Sequence, residues 1–112
     1  MVNNTARLDA VFAALADPTR RRILERLARR SLTVGEIAAE FPISQPAISK
    51  HVRVLEDSGL LTRRVLGRVH HCSLAPDAMQ GASRWIDKQR RFWNAVLDRL
   101  DGVLDEPPGG KK

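Results

Sequence analysis

The stretch "SQPAISKHVRVLEDSGL", residues 44–60, decides the fold. Ser44 is a good N-cap, and Pro46 is tolerable in a first helical turn. Ile48, Val52 and Leu55 then recur at helical spacing and predict a buried stripe. Gly59 suits the left-handed residue that closes a helix, with Leu60 packing back over the end. The opposite stripe is Gln45, Ser49, Arg53 and Glu56, with Lys50 beside it. Such a helix is either an ordinary solvated surface helix or a probe held out towards an anionic partner.

Just upstream, Thr33-Val34-Gly35-Glu36 fits a capping box. A helix over residues 33–41 follows, with Val34, Ile37, Ala38 and Phe41 inward, and Pro42 ends it. Two short helices joined by a turn of three or four residues match a helix-turn-helix. A helix fits the major groove of B-DNA, and the first turns of the second helix of this motif approach the base edges. Gln pairs well with adenine, Ser bonds several base edges, and Arg suits guanine or phosphate. Gln45 and Ser49 are therefore the candidate base readers. Ser44, Lys50, His51 and Arg53 are further candidate DNA contacts.

Downstream, Leu61 to Leu66 and Val69 to Leu74 are short alternating or β-branched runs joined by Gly67-Arg68, which predicts a β-hairpin. A basic hairpin after a helix-turn-helix reads as a wing that follows phosphates or enters a minor groove. Arg68 at its tip is the main candidate wing contact, while Arg63 and Arg64 are either contacts or exposed strand residues.

On the other side, Leu8, Val11, Phe12 and Leu15 predict a short first helix. Asp17-Pro18 starts a second, running to about Arg29 with Ile23, Leu24 and Leu27 inward. Arg20, Arg21, Arg22, Arg26, Arg29 and Arg30 crowd its remaining surface, and some are expected to pair with carboxylates. Pro76 and Asp77 open a last helix to about Leu104, some 28 residues or roughly 42 Å. Ile86, Trp93, Leu97, Leu100 and Leu104 form one apolar stripe on it; Trp85, Phe92, Val96 and Val103 form a neighbouring one. So wide an apolar arc predicts packing on a second copy of the chain.

The whole chain is 112 residues, enough for one domain with a modest core. Apolar residues are 43% and charged residues 29%, as in ordinary soluble chains, but the net charge of +6 points to an anionic partner such as nucleic acid. The single cysteine, Cys72, excludes an internal disulfide framework. No apolar run reaches the length of a membrane span, and the start lacks the apolar core of a secretory signal, so a cytoplasmic protein is expected. Residues 1–106 are read as the domain and 107–112 as a disordered tail. No Ser/His/Asp set, Gly-rich phosphate loop or paired catalytic carboxylates are found, which speaks against an enzyme.

"ALADPTRRRILERL", "TVGEIAAEFPISQPAISKHVRVLEDSGLL" and "GRVHHCSL" together resemble the arsenic-repressor (ArsR/SmtB-type) family over about residues 8–104. The resemblance implies a mainly α winged helix-turn-helix of about five helices plus a two-stranded wing, working as a homodimeric repressor on double-stranded DNA. It implies a dimer contact through the first and last helices, which places Leu8, Val11, Phe12, Ile86, Trp93, Leu97 and Leu100 there. Members that sense metals carry cysteines where this chain has Glu36-Ile37-Ala38-Ala39-Glu40-Phe41, or an Asp-x-His where it has Asp87-Lys88-Gln89. Neither metal site is expected, and no cofactor or effector is assigned. Two alternatives stay open: metal or redox sensing through His70, His71 and Cys72, and a winged helix used for protein binding. An uncharged recognition face would favour the latter; Lys50, Arg53 and Arg68 oppose it.

Overall fold

Residues 4–105 are described by a computed structural model; the tail assigned to residues 107–112 lies outside them. In chain order the elements are α1 (Asn4–Leu15), α2 (Pro18–Leu27), β1 (Leu32–Thr33), α3 (Val34–Ala39), α4 (Gln45–Asp57), β2 (Leu61–Leu66), β3 (Val69–Leu74) and α5 (Pro76–Asp105). Five helices and the hairpin are as the sequence predicts. The addition is β1, which makes the sheet three-stranded in the order β1-β3-β2.

Packing divides the chain into two compact units, residues 1–82 and 83–112. The first holds the core. Val11 and Ala14 of α1, Ile23, Leu24 and Leu27 of α2, Leu32 of β1 and Ile37 of α3 are buried there, with Ile48, Val52 and Leu55 of α4. Leu60, Leu61, Cys72 and Ala82 complete the cluster. Val11 therefore departs from the dimer contact expected of it. Its side chain is only 1% exposed, because it lies on the face of α1 turned into the chain's own core. The second unit is the remainder of α5. Trp85, Ile86, Phe92, Trp93, Leu97 and Leu100 stay open there, Phe92 at 59% and Trp93 at 55% exposed, with these two rings in edge contact at 5.8 Å.

The helix ends follow local chemistry. Asp17 caps α2 by accepting from the Arg20 N–H at 3.0 Å, and Pro18 opens the first turn. That backbone hydrogen bond holds the Asp17 carboxyl below its ordinary range. α2 ends at Leu27, short of Arg29, because the Arg29 N–H bonds Arg26 three residues back and tightens the last turn. α3 closes at Ala39, also short of the prediction. The Phe41 N–H reaches only Ala38, and Pro42 disfavours helical geometry at Phe41.

Two arginines of α2 do work that the sequence conceals. Arg20 donates to the Ala14 and Ala13 carbonyls at 2.8 and 3.2 Å, and Arg21 to the Leu15 carbonyl at 2.6 Å. α1 has no basic residue in its own last turn. Its open carbonyls are satisfied by cations from the next helix, which also suits the negative end of the helix dipole. Arg26 instead pairs with Glu40 at 2.6 Å, as expected for some of this group.

Candidate nucleic-acid interface

The site begins at Thr33. Its hydroxyl accepts the Glu36 N–H at 3.0 Å and the Glu36 carboxylate accepts the Thr33 N–H at 2.9 Å, which completes the capping box. The Thr33 N–H bond is the main reason the Glu36 carboxyl is held below its usual range. Thr33 also pairs with His71, and Leu32 with Cys72, so β1 runs straight into α3. This short strand fixes the first helix of the motif against the wing.

After the turn over residues 40–44, Ser44 caps α4 by accepting the Ala47 N–H at 3.3 Å. Ser44 thus has a structural task at the exposed start of the helix. Ile48, Val52 and Leu55 are fully buried, which fixes the rotation of α4 about its axis. That rotation leaves Gln45, Ser49 and Arg53 in line on the exposed face, with Lys50 beside them. At the far end, Gly59 has φ +86°. Its N–H bonds the Glu56 carbonyl, and the Leu60 N–H bonds the Leu55 carbonyl, both at 3.0 Å. This double closure is a Schellman motif, and it turns the chain directly into β2.

The hairpin spans the predicted strands. Arg63 lies opposite Cys72, Val65 opposite His70 and Leu66 opposite Val69. Gly67 has φ +63°, and no other residue among those described except Gly59 has positive φ. A positive φ at the first central residue alone suits a type II′ turn, which matches the twist of the strands. Arg68 stands exposed at the tip.

Three of the predicted DNA contacts meet in one cleft of about 470 Å3. Gln45, Ser49 and Arg68 line it, together with Thr33, Val34, Gly35, Arg63, Val69 and His70. Lys50 and Arg53 are exposed but do not line this cleft. Gln45, Ser49, Lys50, Arg53 and Arg68 have no side-chain hydrogen bond or ion pair among the described residues, so their polar groups are available to a partner.

His51 makes its contacts within the protein. Its Nδ1 lies 3.3 Å from Arg20 Nη1 and 3.9 Å from Asp17 Oδ2. It faces the start of α2, on a different side of α4 from the Gln45–Ser49–Arg53 line. Arg63 is likewise no free strand cation, since it pairs with Glu56 at 3.0 Å. Arg64 is exposed. Sequence reasoning placed Glu56 on the outward stripe and saw no partner for it, because helix, Gly59 turn and strand must all be in place before the two groups meet.

Of the other sensing candidates, His70 and Cys72 share one face of β3 and His71 the other, as alternation requires. Among the described residues, no three His, Cys, Asp or Glu side chains gather as a metal site. Cys72 is fully buried, and burial pushes its thiol up, away from the reactive thiolate.

A helix-turn-helix whose second helix shows Gln, Ser and Arg, followed by a basic hairpin, defines a winged helix-turn-helix DNA-binding protein. Comparison with known proteins agrees. A family model described as a helix-turn-helix domain matches residues 15–64. The HTH-type transcriptional regulator Rv2034 of Mycobacterium tuberculosis is 38% identical over 97 residues, spanning 87% of this chain and 88% of that protein. The transcriptional repressor SdpR of Bacillus subtilis is 35% identical over 79 residues, 70% of this chain and 88% of the repressor. The crystal structure of the ArsR family transcriptional regulator RHA00566 superposes with a TM-score of 0.76 at 37% identity, covering 84% of this chain and 97% of that one. The chain belongs to the ArsR family of winged helix-turn-helix regulators. It is a DNA-binding transcriptional regulator and not an enzyme. No helix among the described residues is long and apolar enough to cross a membrane.

Proposed function

We propose that two copies of this chain pair through α1 and α5 and repress transcription by occupying a partly palindromic operator. The observation that carries the pairing is the apolar face of α5. Ile86, Trp93, Leu97 and Leu100 are each 40–55% exposed, and Trp85 and Phe92 widen the face. Monomeric soluble proteins rarely leave so large a contiguous apolar patch open to water. Leu8 and Phe12 of α1, both half-buried, add to the contact from the first unit. A two-fold pair would present its α4 helices to successive major grooves about 34 Å apart. Repression is the activity named for SdpR, and occupancy of an operator is the simplest way for a module of this size to achieve it.

Within each half-site, Gln45 and Ser49 read bases, Lys50 and Arg53 meet base edges or phosphate, and Arg68 reaches the backbone or the minor groove. Support comes from their exposure and lack of internal partners. Phosphate contacts make binding weaken steeply with salt.

The reading is tested by selecting duplexes from a random-sequence pool and comparing affinity for selected and random DNA. Gln45→Ala and Ser49→Ala should each cut discrimination by about 1–3 kcal/mol while leaving oligomeric state unchanged. Equal losses on selected and random duplexes would remove both residues from base reading.

A further inference from the structure

We infer that Arg63 is a positioning residue for DNA binding, whose guanidinium ties the wing to the recognition helix and sets where Arg68 meets the duplex. Arg63 stands on β2, yet its partners come from two other elements. Its Nε and Nη2 lie 3.2 and 3.0 Å from Glu56 Oε1 on α4, and its Nη1 lies 3.1 Å from His70 Nδ1 on β3. A guanidinium only donates, so the contact is a hydrogen bond in the tautomer whose Nδ1 accepts. One planar fork thus joins helix and both wing strands.

The location gives the contact its consequence. β1 pairs only with Cys72 and His71, so the third strand stops there. From His70 to the tip the wing is a two-stranded ribbon, and such ribbons are marginally stable alone. The Arg63 fork sits where support from β1 ends. It ties the ribbon to α4 there. Its side chain is 18% exposed, whereas its neighbour Arg64 stands open to solvent. Glu56 follows Gln45, Ser49 and Arg53 along the outward face of α4, so a carboxylate with no cation beside it would repel phosphate. Paired with Arg63, it becomes the fixed point between the base-reading line and the wing.

The inference rests on the proposed wing contact by Arg68, and its test separates the two. Arg63→Gln, Glu56→Ala and the exchanged pair Glu56→Arg with Arg63→Glu are titrated against a duplex selected by the wild-type protein. Protection from hydroxyl radicals is mapped for each. Both single variants should bind about threefold to tenfold more weakly, the range of a partly buried ion pair acting through geometry. Both should lose protection under the wing, keep it under Gln45 and Ser49, and melt at nearly the wild-type temperature. The exchanged pair should restore wing protection. If Arg63 instead held a phosphate directly, the two single variants would change affinity in opposite directions, with Glu56→Ala binding more tightly as a repelling charge is lost. That outcome overturns the inference.

If Arg68→Ala alters neither affinity nor protection, the wing contact itself is wrong. The tie is then judged by amide relaxation at Gly67 and Arg68 in the free protein. Glu56→Ala must make both more mobile, and unchanged relaxation overturns the inference.

Discussion

α4 and the later part of α5 are both amphipathic helices, but they end in opposite conditions. The apolar stripe of α4 is spent inside the chain, with Ile48, Val52 and Leu55 at zero exposure, and its polar face is left open. Over residues 83–102 of α5 the large apolar side chains are open along with the polar ones, Ile86 at 40% and Phe92 at 59%, while Val96 is half-buried. A helix whose apolar face is already covered can offer its polar face to a polyanion without endangering the fold. A helix whose apolar face is uncovered calls for a protein surface. The same periodicity in the sequence therefore serves two kinds of recognition, and burial tells them apart.

The contrast makes its largest prediction at Ile48. Ile48→Ala should destabilise the folded chain by about 2–5 kcal/mol, because a fully buried methyl cluster is lost and a cavity left behind. Denaturant unfolding measures this, and a cost below about 1 kcal/mol would mean that α4 is not seated as described. Trp93→Ala should leave circular dichroism intact and instead weaken self-association by about 2 kcal/mol or more, as expected for a central aromatic in a contact. Sedimentation equilibrium across a concentration series reads it. Unchanged association there and in Leu97→Ala would take away the proposed role of the α5 face.

The smallest effect lies outside both helices, at the cap of α2. Asp17→Ala should cost about 1 kcal/mol at neutral pH. The sign with pH follows from the lowered carboxyl of Asp17, which binds protons less readily folded than unfolded. Its contribution is fully present above the ordinary value of 3.8 and is lost as pH falls through the lowered folded value. Wild type and variant should therefore converge in acid, and a constant gap down to low pH would assign the loss to something other than the charge.

The core of this fold is legible in the sequence because its signals are local. Ser44, Pro46, the Ile48–Val52–Leu55 stripe and Gly59 define α4 within sixteen residues, and Gly67 defines the hairpin within two. The features that escaped are those made by distant groups. β1 is two residues long and exists only because Cys72 and His71, far along the chain, come alongside. The Arg20 and Arg21 side chains look like solvent-facing cations until the end of α1 is brought to them. Val11 fits either face of a short helix, and only packing chooses the inner one. Of the candidate site, Gln45, Ser49 and Arg68 were readable one by one, but their shared cleft was not. Neither was the use of His51 and Arg63 within the protein, since charge and exposure cannot be told apart in a linear string.

Thr33 carries a constraint of its own. It is at once the last rung of β1 and the cap of α3, so the linker between sheet and motif has no slack. Adding one residue between Leu32 and Val34 would force a choice between the rung and the cap. Length variation among functional descendants of this chain should therefore spare the Leu32–Thr33 junction.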